Sequence, residues 1–457
     1  MTENWLEKER FAVWGLGKSG VAAANLLARR GKQVLASDIR SADALEEQLG
    51  RLDDAVDWRA GENAIGDAEV VVVSPGLRPG LEVISKARGQ GVPVISEVDL
   101  AFDASSAIWV AITGTDGKTT TTSLAGAMVE ASGRECVVAG NIGTALCDVV
   151  ESVSVDGVIV AEVSANQLWS CHHLAVRTAA ITNIAEDHLD YFDDFDDYGP
   201  AKYRLVELQG GRGTAVLPGF DNKISDDLAG HLPEQVISFD AGQTPSGEYA
   251  VYFDEQGRGR WRWGGEEGTW FEDFRRHASL LGVHNQLNAA CAAAVAHSVG
   301  ASWEDCARAL REFSALPHRM EPVGEVEGVF YINDSKATNA HASLAGLIGV
   351  EAPLVVIAGG RDKGLDLEAW AQTVAERAEL VILIGEIRSR MARLLEAHGG
   401  TVDKAASVEE AVRLAHKRSK PGSNVVLSPA CSSYDMFSSY KARGKCFEKA
   451  VRGLQER

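Results

Sequence analysis

The run Gly114-Thr115-Asp116-Gly117-Lys118-Thr119-Thr120 lies between a strand-like segment, 108–113, and a helical pattern that extends through Met128. A glycine-rich turn followed by Lys and Thr at the mouth of a helix is an arrangement that cradles phosphates. Its backbone N–H groups meet the oxygens, its lysine reaches the β and γ positions, and its threonine offers a hydroxyl to Mg2+. The usual spacing is not fully met, because Ile112 stands where the first glycine belongs, so the loop is a shorter variant. An unoccupied turn is the bland alternative. Against it, Thr119 to Thr122 are four successive threonines at the start of a helix, where threonine is a poor choice without a further reason.

A second glycine-rich turn, Gly15-Leu16-Gly17-Lys18-Ser19-Gly20, follows the apolar run 11–14 and opens a helix, and Asp38 closes the next strand-like segment. Such a turn brings backbone donors and a helix N-terminus up to a diphosphate, and the acid suits a ribose hydroxyl. Taken alone it fits a turn required only for packing equally well. Ser74-Pro75-Gly76 either extends that rim or is simply a turn.

Further polar clusters end apolar runs. These are Gly140-Asn141-Ile142-Gly143, Glu162 with Ser164-Ala165-Asn166-Gln167, and residues 182–190 with His188. A carboxylate and an imidazole beside a phosphate loop suit a second Mg2+ or a substrate; singly, each is more simply a hydrogen-bonded turn residue. The acidic run 186–197 lacks the spacing and glycine of a calcium loop and reads as a solvated helix start, and His172-His173 has no ligand-spaced partner. Farther on, Arg319 in His318-Arg319-Met320-Glu321 matches a phosphate geometrically. Asn333-Asp334-Ser335-Lys336-Ala337-Thr338-Asn339 follows the strand-like run 329–332. Arg361 and Lys363 in the 359–364 turn and the hydroxyls of 428–433 suit a small carboxylate.

These residues need a scaffold that sets strand ends side by side. The 457 residues amount to about three domains at roughly 150 residues each. Short β-branched runs at 11–14, 70–73, 108–113, 158–160, 355–357, 381–384 and 425–427 alternate with helical patterns, which predicts parallel sheets with crossover helices. New domains are expected to start around 97–106 and 314–317. Residues 235–268, rich in Gly and Trp, read as antiparallel hairpins, and 288–313 as one alanine-rich helical stretch.

Hydrophobic residues make up 45% of the chain, ample for cores, and the net charge of −20 disfavours nucleic acid and anionic membrane as partners. It leaves room for anionic small molecules where cations gather locally. Seven scattered cysteines without a C-x-x-C pair argue for a reducing compartment and against a structural zinc site. The polar N-terminus reads as no signal peptide, and no apolar run reaches the ~20 residues that span a bilayer. A soluble, cytoplasmic protein is expected.

The order of motifs, G-x-G-x-x-G, GTDGKT, GNIG, NIAEDH, HRME, NDSKATN, GGRDKG and SPACSSYD, resembles the Mur ligase family over essentially the whole chain. The resemblance implies an α/β protein of three domains. These are a Rossmann-like N-terminal domain (1–96), a central P-loop ATPase-like domain with a parallel sheet plus small antiparallel sheet (97–315), and a Rossmann-like C-terminal domain (316–457). It implies a monomeric, ATP-dependent ligase joining D-glutamate to UDP-N-acetylmuramoyl-L-alanine through an acyl phosphate. Gly15, Leu16, Gly17, Lys18, Ser19, Gly20, Asp38, Arg40, Ser74 and Gly76 would face the uridine diphosphate, with Asn141, Ser164 and Gln167 near the muramoyl-alanine arm. Gly114, Thr115, Asp116, Gly117, Lys118, Thr119, Thr120, Asn285, Asn288, Arg319 and Asp334 would hold ATP, and Lys336 its phosphate end. Thr119, Glu162, His188 and a carbamylated Lys202 would hold two Mg2+ ions; Thr338, Lys363, Ser433 and Tyr440 would bind glutamate.

Without the resemblance Lys202 reads as an exposed helical lysine. The chain departs from the family at Asp116, usually Asn, and at Ser164-Ala165-Asn166-Gln167, usually Ser-Ser-Phe-Gln. Altered substrate contacts are expected there rather than lost activity. A sister ligase adding another amino acid and an inactive nucleotide-binding regulator stay open; a nicotinamide-dependent oxidoreductase leaves the phosphate loop and the last third unexplained.

Overall fold

The computed structural model describes residues 4–185, 195–277, 280, 282–314, 316–362, 364 and 366–455. The chain divides into two compact units, one of residues 1–272 and 287–312, the other of residues 273–286 and 313–457.

The first unit holds two sheets. β1 (Arg10–Trp14), β2 (Gln33–Asp38), β3 (Val56–Ala60), β4 (Val70–Val73) and β5 (Val94–Ser96) pair in parallel in the order β3-β2-β1-β4-β5. The winding reverses beside β1, and ligands of open α/β sheets bind at such a reversal. The turn 15–20 leaves β1 at that point and enters helix Lys18–Arg29, whose Val21, Ala24 and Leu27 are buried. Gly20 is obligatory because a Cβ there would strike the carbonyl of Gly15.

The second sheet has β6 (Ile108–Thr113), β7 (Cys136–Gly140), β8 (Val158–Glu162), β9 (Thr178–Ile181), β10 (Thr214–Pro218), β11 (Gln235–Ala241), β12 (Tyr249–Phe253), β13 (Gly259–Trp263) and β14 (Glu266–Phe271). Its order, β14-β13-β12-β11-β10-β9-β6-β8-β7, puts β6 between β8 and β9. The phosphate loop therefore sits between the strand ends that carry Glu162 and Thr182. One apolar cluster runs from Phe11 and Leu27 through Val98 and Leu100 to Ile159 and Ile181, joining the two sheets.

Two expectations need correction. Of the strands that start within 235–268, β12, β13 and β14 form antiparallel hairpins, whereas β11 pairs in parallel with both β10 and β12. The connection 242–248, at about 3.3 Å per residue, is long enough to run back along the strand, which a tight hairpin turn is not. The stretch 288–313 is two helices, Val283–Ser298 and Trp303–Glu312. Gly300 breaks the first at a φ of 103°, and Ser302 with Asp305 restarts the second, Asp305 N donating to Ser302 Oγ at 3.1 Å and Ser302 N to Asp305 Oδ2 at 3.2 Å.

The second unit is built on β15 (Glu321–Val326), β16 (Val329–Asn333), β17 (Leu354–Gly359), β18 (Leu380–Ile384), β19 (Val402–Lys404) and β20 (Asn424–Leu427), in the order β15-β16-β20-β17-β18-β19. All neighbours are parallel except β15 with β16. Apolar clusters cover both faces, one around Trp370 and Val356, the other around Phe447 and Ile357. The motifs 333–339, 428–433 and 359–364 thus leave three adjacent strands, β16, β20 and β17. All seven cysteines are free, and no helix of the described residues is long and apolar enough to cross a membrane.

Candidate functional site

The phosphate loop is strapped to the end of β9. Asn183 accepts from Asp116 N through its Oδ1 at 3.0 Å and donates to Asp116 O at 3.1 Å, while Thr182 Oγ1 donates to the same carbonyl at 2.6 Å. Thr115 Oγ1 exchanges bonds with the backbone of Ala185 at 3.0 and 3.1 Å. The Asp116 backbone is therefore held at both its N–H and its carbonyl by the end of β9. Lys118 folds its Nζ onto the carbonyls of Gly114 and Thr115 at 2.9 and 2.7 Å. Gly117 has a φ of 78° at the N-cap of helix Lys118–Ala131, and a Cβ there would collide with Asn288 Oδ1. Two of the four threonines are explained by packing: buried Thr121 bonds Asn288 Oδ1 at 3.3 Å, and Thr122 bonds the carbonyl of Lys118 at 2.8 Å. Asn285, one helical turn before Asn288, is also buried.

A second group lies in the same unit. Asp38 does not point away from the first glycine-rich turn but grips it: its carboxylate accepts from Leu16 N at 2.7 Å and from Arg40 Nε at 3.0 Å. Burial disfavours its charge, yet the Arg40 and Leu16 bonds prevail and hold its pKa below the usual range. Arg40 also donates to the carbonyl of Leu16 at 3.2 Å. Ser74 packs on Gly15 and Gly17, whereas Gly76 is exposed. Lys18 Nζ reaches the carbonyl of Gly143, which ties this turn to the 140–143 loop.

Asn141 donates to Glu162 Oε1 at 2.7 Å, and its backbone N–H bonds the Glu162 carbonyl at 2.8 Å. The other carboxylate oxygen, Glu162 Oε2, is buried without a hydrogen-bond partner. An orphaned anionic oxygen in that position is costly and suits a divalent cation, so the donor set fits Mg2+. Ser164 and Gln167 form a capping box at helix Ala165–Leu168, and Ala165 is buried. Lys202, on helix Phe195–Glu207, has 1% of its surface exposed, which overturns the reading of an exposed lysine. His188 lies outside the described residues, as does most of the acidic run 186–197.

In the second unit, Asp334 ends buried beside β20. Ser428 Oγ donates to its Oδ2 at 2.9 Å and Met320 N to its Oδ1 at 3.3 Å. Burial pushes its carboxyl up to about 7, against the pull of those donors and of the Arg319 charge. Lys336 Nζ stands 4.2 Å over the Tyr440 ring, a cation–π contact. Ser433 is buried and Thr338 half-buried, and residues 361 and 432 pair as an isolated bridge, which brings the β17 and β20 loops together. Lys363 lies outside the described residues.

His318, Glu321 and Glu448 come close enough to suggest a metal site, but an amide already fills it. Asn333 Nδ2 is 2.8 Å from both His318 Nδ1 and Glu448 Oε1, and its Oδ1 is fixed by Ser335 N at 3.1 Å. The cluster is satisfied as a clamp on a strained turn, in which His318 and Met320 have φ of 65° and 44°.

Sequence reasoning missed Arg443, fully buried in helix Tyr440–Gln455. Its guanidinium bonds Ser335 O at 2.9 Å, Ser335 Oγ at 3.0 Å, Cys431 O at 3.1 Å and Gly359 O at 3.4 Å, and so reaches all three strand-end loops. Burial draws its pKa down to about 10, which leaves it charged at neutral pH. The one signal was the adjacent Gly444, where a Cβ would strike the His318 ring.

Comparison with known proteins matches this arrangement domain by domain. The family models for the Mur ligase MurD-like N-terminal domain, the Mur ligase middle domain and the Mur ligase glutamate ligase domain match residues 9–96, 112–296 and 318–431. Among curated relatives, the UDP-N-acetylmuramoylalanine–D-glutamate ligase of Desulfitobacterium hafniense is 38% identical over 98% of each chain. That of Geotalea uraniireducens is 38% identical over 99% of each. Among solved structures, a pseudomurein peptide ligase type C from Methanothermus fervidus aligns over 98% of this chain and 99% of its own with a TM-score of 0.61 at 19% identity. The UDP-N-acetylmuramate–alanine ligase of Thermotoga maritima does so with a TM-score of 0.60 at 18% identity, over the same shares. These last two likenesses are of fold.

Proposed function

The chain belongs to the Mur ligase family, and from that premise we propose that it joins D-glutamate to UDP-N-acetylmuramoyl-L-alanine in peptidoglycan precursor synthesis, with ATP cleaved to ADP and phosphate. The observation that carries this reading is the full-length likeness to D-glutamate ligases, 38% identical over 98% of each chain.

A carboxylate does not react with an amine until its oxygen becomes a leaving group. The alanyl carboxylate takes the γ-phosphoryl group of ATP while Lys118 and the N–H groups of 114–120 hold the phosphates, and an acyl phosphate forms. The neutral amine of glutamate attacks the acyl carbon, a proton leaves the nitrogen, and the tetrahedral intermediate expels phosphate. Water must be kept from the acyl phosphate.

Gly15 to Gly20, Asp38, Arg40, Ser74 and Gly76 serve the uridine diphosphate, and Asn141, Ser164 and Gln167 the muramoyl-alanine arm. Asn285, Asn288, Arg319, Asp334 and Lys336 serve the adenine nucleotide; Thr338, Lys363, Ser433 and Tyr440 serve glutamate. Thr119, Glu162, His188 and a carbamylated Lys202 would hold two Mg2+ ions, which when bound neutralise charge on the phosphates. The domains divide at 96/97 and 315/316, and the enzyme works as a cytoplasmic monomer.

Lys118→Ala tests the division of roles. Turnover is expected to fall by about 10^3-fold or more, while the affinity for UDP-N-acetylmuramoyl-L-alanine, measured by calorimetry without ATP, stays within about threefold. Loss of both together would contradict it.

A further inference from the structure

Glu97 has no place in the reaction above, yet it sits at the junction of the first unit's two sheets. It opens helix Glu97–Ala104 directly after β5 with 2% of its surface exposed. An acid at that depth is tolerated only where donors surround it. Gln167 Nε2 donates to its Oε1 at 2.9 Å and Ser96 Oγ approaches its Oε2 at 3.3 Å, while the nearby Ser19 hydroxyl also favours its charged form.

Gln167 and the neighbouring Ser19 are both residues assigned to the substrate. Ser19 lies in the first turn of helix Lys18–Arg29, which grows from the glycine-rich turn at β1. Gln167 is the far end of the capping box beside Glu162. A glutamine amide has two orientations of nearly equal shape, and its hydrogen-bond partners decide between them. With Nε2 committed to Glu97, Oε1 faces Ser164 and accepts from its N and its Oγ, both at 2.9 Å. Ser164 N–H can only donate and therefore claims Oε1, which leaves Nε2 as a buried donor whose acceptor is Glu97; without that acceptor the amide is left unsatisfied where it stands.

We propose that Glu97 is a positioning residue, which anchors the amide of Gln167, and through it Ser164, beside helix Lys18–Arg29, and so holds the sites for the two ends of one substrate in register. This rests on the assignment of those sites to the uridine diphosphate and the muramoyl-alanine arm. Glu97 touches no substrate in this account; it acts through Gln167. A residue that served only the fold would lower stability and affect all three substrates alike.

The test is a double-mutant cycle with Glu97→Ala and Gln167→Ala, read as KM for each substrate and accompanied by thermal unfolding, with Ser164→Ala as a separate control. Glu97→Ala is expected to raise the KM for UDP-N-acetylmuramoyl-L-alanine about tenfold and to leave that for ATP within about twofold. The double variant is expected to be no worse than Gln167→Ala. Glu97→Gln, whose amide oxygen still accepts, is expected to recover most of the loss. If Glu97→Ala does not fold, Glu97→Asp replaces it in the cycle, keeping the carboxyl group but withdrawing the acceptor by one carbon. Additive losses, or an equal rise in the KM for ATP, overturn the proposal and leave the site assignment standing. An unchanged KM in both Gln167→Ala and Ser164→Ala removes the site assignment, and the proposal with it.

Discussion

Lys202 is among the most deeply buried charged residues described in the first unit. A lysine with 1% of its surface exposed is rare, because the ammonium loses its water. Addition of its neutral amine to CO2, with release of a proton, turns the cation into an anionic oxygen ligand. That is chemistry a Mg2+ site can use. Lys202→Ala is expected to lower kcat by about 10^3-fold, and added bicarbonate is expected to raise the activity of CO2-depleted wild type but not of the variant. A variant within about tenfold of wild type would remove the carbamate from the account. Lys202, Glu97 and Arg443 were all illegible as buried groups in the sequence, and for one reason. A charged residue in a helical pattern reads as solvent-facing. The partners that make burial tolerable come from far along the chain: 70 residues for Glu97 with Gln167, 108 for Arg443 with Ser335.

Elements were easier to read, because their signals are local. Buried parallel strands are short β-branched runs, and β4 and β6 have the limits expected from the sequence. β11 was misjudged because pairing direction depends on where a connection returns, which composition does not encode. The helix break at Gly300 was masked by the alanine content on either side. Glycine-rich loops are legible because a tight approach admits no side chain, and Gly117 puts this to the test. Alanine there would need a left-handed backbone, costing about 1 kcal/mol or more, and would displace Asn288 besides. Gly117→Ala is expected to raise the KM for ATP by about 10^2-fold and to leave UDP-substrate affinity within about twofold. An ATP KM within about threefold would show that the loop does not need its observed conformation.

At the scale of the whole molecule, the motif order made the family legible before any contact was known, since every motif but HRME follows a strand and strand ends are where open α/β sheets bind ligands. Which amino acid is added is a different matter. Under the proposed assignment it falls to the loops after β16, β17 and β20, which Arg443 ties together through Ser335, Gly359 and Cys431. The measurement that bears most directly on the proposed ligase is phosphate release from ATP with UDP-N-acetylmuramoyl-L-alanine, offered D-glutamate, L-glutamate and other amino acids in turn. Release confined to D-glutamate is predicted. Preference for another amino acid, or no release with any of them while ATP still binds, would contradict it.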